Sequence, residues 1–187
     1  MDSVIELHDV QTLGTGAVGE PGNREFFVQA GNSLMQLTVL VEKQQVALLA
    51  TEVTSFLDHI AEEHPEDMIG LPDQEARLRE PAVPLFRARL IGLGFDAELG
   101  LVLIELREHV ADDDEEGEGF DADLAVARDE LTDEHEEDGY VARIYATRAQ
   151  VRALAARGAA AVIGGRPECS LCGMPMDPDG HRCPRWN

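Results

Sequence analysis

The sequence predicts an α+β protein: duplicated βββα units forming antiparallel sheet packed by helices, followed by a small C-terminal zinc-knuckle tail. Three observations predict it. Strand-like alternation occurs in two sets, and each set ends in a stretch of helical periodicity. The two strand-to-helix junctions match, since VEKQQVALLA (41–50) set against ATRAQVRALA (146–155) aligns Gln45-Val46 with Gln150-Val151 and Leu49-Ala50 with Leu154-Ala155. All three cysteines lie within one run of fifteen residues, CSLCGMPMDPDGHRC, from Cys169 to Cys183. The resulting division is 1–82 for the first unit and its linker, 83–163 for the second unit with an acidic insertion at 111–139, and 164–187 for the tail.

In chain order, VIELHDV (4–10), REFFVQA (24–30) and LMQLTVLVE (34–42) alternate and are rich in β-branched and aromatic residues, so they read as three antiparallel strands. Val46, Leu49, Val53, Phe56, Leu57 and Ile60 then recur every three or four residues, the apolar face of a helix starting near Glu42. Residues 61–85 hold four prolines and no sustained period, and read as a connector. LFRARLIGLGFD (85–96) and LGLVLIELREHV (99–110) form a predicted hairpin, YVARIYA (140–146) a further strand, and Thr147 the N-cap of a second helix. Each unit leaves an apolar sheet face to cover, and a continuous six-strand sheet with both helices on one side is the economical packing.

GTGAVG (14–19) matches the dinucleotide fingerprint letter for letter, but that chemistry needs strand, tight turn and then helix. Pro21 and Gly22 follow instead, and then a strand pattern, so the glycines are expected in a long hairpin loop; whether residues 14–22 cradle an anion stays open.

With 37 acidic and 15 basic residues the formal charge is -22, which repels phosphate backbones and anionic membrane surfaces. Nucleic acid is therefore an unexpected partner and membrane insertion is not expected. Residues 112–138 carry fifteen acidic side chains against Arg128 alone, the composition of a poorly ordered loop. They lack the alternate-position ligands and terminal Glu of a calcium loop. Without a secretion signal or an apolar run of spanning length, a cytoplasmic protein is expected.

No catalytic motif for nucleophilic or phosphoryl chemistry is present, and His8, His59, His64, His109 and His135 are scattered. The tail differs. Cys169 and Cys172 are spaced as a metal knuckle, Gly173 can turn the chain so that backbone amides face sulfur, and His181 and Cys183 supply a second pair across GMPMDPDG. Three thiolates and an imidazole suit tetrahedral Zn²⁺, with redox thiols or iron as the alternatives, and four protein ligands make a closed, structural site. Arg166, Arg182 and Arg185 are placed to offset the excess negative charge of such a site. Residues 143–187 hold seven arginines and three acids, a basic patch in an acidic protein.

The ending RPECSLCGMPMDPDGHRCPRWN resembles that of an actinobacterial repeat-protein family of unknown function, whose members close with a C-x-x-C-G knuckle, a D-P-x-G-H-x-C-P step and a final Asn. GAVGEPGNREFFVQA, VEKQQVALLA and FRARLIGLGFD are similar to its other motifs, and Glu168 departs from the small residues or proline usual before the first cysteine. The resemblance implies a repeat architecture and a lipid-kinase-like protein partner, and it assigns no reaction. The expectation is a binding or adapter protein with no catalytic or organic-cofactor residues. Two alternatives accompany it: an enzyme with a site between the two units, built from residues such as Glu105, Arg107 and Arg89, and zinc-dependent nucleic-acid binding through the arginine-rich tail.

Overall fold

A computed structural model describes residues 3–65, 77–108, 139–165, 169–174, 176 and 180–185, and the backbone of 124–126. The expectations for His109, His135, Arg166, Glu168 and most of the acidic insertion lie outside the described residues. The protein is α+β. Its elements are β1 (Ser3–Leu7), β2 (Thr12–Glu20), β3 (Asn23–Gly31), β4 (Gln36–Val41), α1 (Lys43–Glu63), β5 (Phe86–Arg87), β6 (Leu90–Asp96), β7 (Leu101–Arg107), β8 (Leu124–Val126), β9 (Tyr140–Ala146) and α2 (Arg148–Ile163).

The strands form two sheets where one of six strands was expected, in the orders β1-β9-β7-β6-β8 and β2-β3-β4-β5. Each contains an antiparallel meander, β2-β3-β4 or β6-β7-β9, that leads directly into a helix. The strand that precedes each meander goes to the other sheet. β1 pairs parallel to β9, and β5 pairs parallel to β4. Thus VIELHDV does not join the strands that follow it, and LFRARLIGLGFD is two strands in two sheets, with the crossing at Ala88-Arg89. The reason is edge pairing: the last strand of each meander would otherwise present a row of open amides and carbonyls.

Within the segment read as an acidic loop, Leu124–Val126 forms β8, parallel to β6. GTGAVG is likewise a strand. Residues 14–19 lie in β2 and pair with β3 from Gln29 to Arg24, so neither a phosphate loop nor a hairpin loop exists there. Within residues 14–22 positive φ occurs at Gly19 (105°) and at Gly22 (101°) in the tight turn.

The inner faces of both sheets and one face of α1 feed a continuous core. Leu13, Val28 and Val39 from one sheet meet Ile91, Ile104 and Ile144 from the other, with Val46, Leu49, Val53 and Leu57 of α1 and Val151 and Leu154 of α2. The helices pack on each other; α2 also lies on β2 and α1 on β6. At the crossing a Cβ on Gly158 would sit 3.0 Å from Val46 and 3.4 Å from the Thr15 methyl, which explains a glycine inside a helix.

Both helices begin with the same device. Glu42 and Thr147 are N-caps, and Gln45 and Gln150 at the third helical position return a carbonyl to the cap amide, at 2.8 and 2.9 Å. The other end of each carboxamide reaches the opposite half. Gln45 Nε2 donates to the Arg89 carbonyl at 2.9 Å, where the chain crosses from β5 to β6, and Gln150 Nε2 donates to Val10 at 2.7 Å, between β1 and β2. The helix C-termini are tied in the same reciprocal way. Arg148 of the second half donates to the His64 carbonyl after α1 (2.7 Å), and Arg24 of the first donates to Ala161 in α2 (3.0 Å).

Gln45→Ala removes a cap bond and leaves a carbonyl at the sheet crossing without its donor, and is expected to cost about 2 kcal/mol in urea unfolding. Gly158→Leu is expected to cost about 2 kcal/mol or more, because Val46 and Thr15 leave no volume for the side chain.

Candidate metal centre

The tail turns where Gly173, at φ 73°, allows it. The Gly173 amide donates to the Cys169 carbonyl and the Cys169 amide to the Met174 carbonyl, both at 2.8 Å, which closes a small loop around Cys172. Arg185 Nη1 donates to the Leu171 carbonyl at 3.1 Å and holds the end of the tail against this loop. Of the arginines expected to balance the site, Arg185 is therefore engaged with it through backbone, and Arg182 is exposed.

This geometry brings Cys169, Cys172, His181 and Cys183 together, with one ligand atom from each, all within 4.8 Å of one another. Cys169 Sγ is 3.9 Å from Cys183 Sγ, and Cys172 Sγ is 3.2 Å from His181 Nε2. A tetrahedron with metal–sulfur bonds of about 2.3 Å has edges of about 3.8 Å between sulfurs and slightly less between sulfur and nitrogen. The Cys169–Cys183 separation is close to such an edge, and the four donors are near enough to one another to hold one metal ion. Cys169 is buried and the other three are half-buried, so each ligand atom has lost part of its water.

The amides of Leu171 and then Cys172 hydrogen-bond to the Cys169 sulfur and lower its pKa below the ordinary thiol value. The Met174 amide also acts on Cys172, but burial and the neighbouring thiols together push that pKa up. Thiolate is the metal-binding form of cysteine, so a bound divalent ion favours deprotonation of both. The His181 Nδ1 atom is buried with no hydrogen-bond partner among the described residues, while Nε2 faces Cys172.

A family model described as "Protein of unknown function (DUF3090)" matches residues 5–183. The chain belongs to this family. No curated protein and no solved structure matches it. The matched span of this DUF3090 member includes all four clustered residues, both helices and every strand but the first two residues of β1.

The remaining sequence candidates do not gather at the tail. His8 stacks on Tyr145 with ring centroids 4.3 Å apart, and the His64 ring lies 5.2 Å from Phe95. A half-open cavity between the helices, lined chiefly by Ala50, Val53, Leu57, Ala155 and Ala159, also includes Asp58 and Arg152. Glu105 and Arg107, considered for an interface site, are instead on the outward face of the five-stranded sheet and joined at 2.6 Å. Sequence reading missed their third member, Arg143, whose Nε donates to the other Glu105 oxygen at 2.8 Å. Only the β7–β9 register, which sets Glu105 opposite Arg143, could have found it.

Titration with Co²⁺ is expected to give one equivalent of the intense visible absorption of a tetrahedral thiolate site, weakening as pH falls because protons compete for sulfur. Cys172→Ser is expected to abolish stoichiometric uptake.

Proposed function

We propose that the DUF3090 member is a binding or adapter protein whose C-terminal tail is fastened by structural zinc at Cys169, Cys172, His181 and Cys183. The observation that carries this reading is the count and closeness of the donors: four protein atoms within 4.8 Å fill a tetrahedron and leave no position for water or substrate. When bound, zinc supplies charge neutralisation and a cross-link; the residues of the chain do the rest. The knuckle amides orient Cys169 and Cys172, and Arg185 braces the loop from outside.

The same reading takes the chain as a duplication. Support comes from the corresponding orders β5-β4-β3-β2 and β1-β9-β7-β6, to which β8 is an addition, from the exchanged leading strands and from the paired Gln45 and Gln150 caps. The protein partner of this reading is a lipid-kinase-like protein, and its compartment is the cytoplasm. Three free cysteines accord with reducing surroundings, and among the described residues no helix is long and apolar enough to cross a membrane. The fastened tail presents exposed Leu171 and Met174, apolar groups available to a protein partner.

Purified protein is expected to contain one equivalent of zinc by elemental analysis, and the Cys172→Ser variant well under one. In size-exclusion binding with a purified lipid-kinase-like protein, the parent is expected to co-elute and the zinc-free variant to bind at least about tenfold more weakly. Zinc-free parent protein would remove the fastener, and a parent that fails to co-elute would remove this partner.

A further inference from the structure

The two sheets offer an internal control on each other. In the first, Gly14 of β2 is opposite Gln29 of β3, which is opposite Thr38 of β4. In the second, Gly92 of β6 is opposite Glu105 of β7, which is opposite Arg143 of β9. Two residues farther along the middle strand, Gly31 corresponds to Arg107, paired with Thr12 and Leu90 respectively. One backbone arrangement therefore carries two solutions at the same three positions: neutral Gln29, Gly31 and Thr38, and charged Glu105, Arg107 and Arg143.

The neutral solution is complete. Gln29 Nε2 donates to Thr38 Oγ1 (3.2 Å) and to the Arg79 carbonyl (2.9 Å), and the Arg79 amide donates back to Gln29 Oε1 (2.7 Å). The fold has no need of charge here. Burying an ion pair gains little over neutral groups, because desolvation offsets most of the attraction. The charged version calls for another reason.

Its geometry supplies one. The Glu105 side chain is 2% exposed, and its two oxygens accept from the Nε atoms of Arg107 (2.6 Å) and Arg143 (2.8 Å). A carboxylate that only neutralised an arginine would be met by the bidentate fork. Here each oxygen takes the Nε donor of a different arginine, so one buried carboxylate orients two guanidinium groups. Those side chains are 24% and 29% exposed. Of the Nη atoms of Arg107 and Arg143, Arg143 Nη1 meets a carboxylate among the described residues, that of Glu6 at 3.4 Å, and Glu6 is itself 44% exposed.

We propose that Arg107 and Arg143, held in place by buried Glu105, form an anion clamp on the outward face of the β1-β9-β7 part of the sheet, and that its ligand is the phosphate group of a small soluble monoester. Phosphate has a tetrahedral set of oxygens that two neighbouring guanidinium groups can share. With Glu6, Glu105, Arg107 and Arg143 the site is neutral before binding, so a ligand displaces Glu6 and gains both arginines. A membrane surface would set its charge against the whole acidic protein, whereas a small dianion meets the clamp at hydrogen-bond range. The clamp is independent of the metal centre.

Calorimetric titration of the full chain with inorganic phosphate and with methyl phosphate, at ionic strength matched by chloride, tests it. One saturable site is expected. Arg107→Gln is expected to weaken binding at least about tenfold through loss of charge-assisted bonds, and Glu6→Gln to tighten it about threefold by removing the competitor. Glu105→Gln/Arg107→Gly/Arg143→Thr, the three residues that the first sheet uses at these positions, is expected to keep the far-ultraviolet circular dichroism of the parent and to lose the site. No saturable heat with either probe, or unchanged affinity in Arg107→Gln, would overturn the clamp.

Discussion

The fold depends on pairing the outer edge of the strand that precedes each helix. Strands β4 and β9 are the last strands of their meanders, and each is closed on its outer side by a strand that leads the opposite half. Backbone polar groups buried without partners are costly, and this exchange satisfies them in both sheets at once. It also dictates where the chain must cross between sheets. Those crossings, near Val10 and at Ala88-Arg89, are where Gln150 and Gln45 place their second hydrogen bonds. One side-chain type thus starts a helix, marks a sheet crossing and ties the halves together. The arginine contacts at the helix C-termini, from Arg24 and Arg148, repeat that logic at the far ends.

Such reciprocity makes the halves hard to separate energetically. Neither sheet is complete without a segment from the other half, and the helices cross where Gly158 admits Val46. The core residues accordingly form one cluster and not two. The metal-ligand cluster lies apart from this core and is organised by short-range turns; its donors come from fifteen consecutive residues. Its donors are held by hydrogen bonds between near neighbours in the chain and not by the strand pairing of the sheets.

The outward face of the five-stranded sheet is governed by different physics. Where the first sheet uses Gln29 to grip the backbone of Arg79, the second uses Glu105 to orient two arginines. Burial of Glu105 strengthens both contacts, since little water competes there, and the Glu105 hydrogen bond foremost raises the pKa of Arg143. The corresponding register position is a structural latch in one sheet and a charged platform in the other.

Local chemistry was legible from the sequence. The knuckle spacing of Cys169 and Cys172, the helix starts after Glu42 and Thr147, the apolar face of α1 and the α+β class all follow from residues within a turn or two of one another. What tertiary structure alone decided is the partner of each strand. Periodicity tells a strand from a helix but carries no information about which edge it will pair with, so the exchange of β1 and β5 and the split at Ala88-Arg89 were invisible. GTGAVG shows the same limit, because glycines suit a turn and also a strand whose outward face is crossed by other chain, as Gly16 is by Leu78. Arg143 joins Glu105 across thirty-eight residues of chain, and only the sheet register brings those charges within hydrogen-bond range.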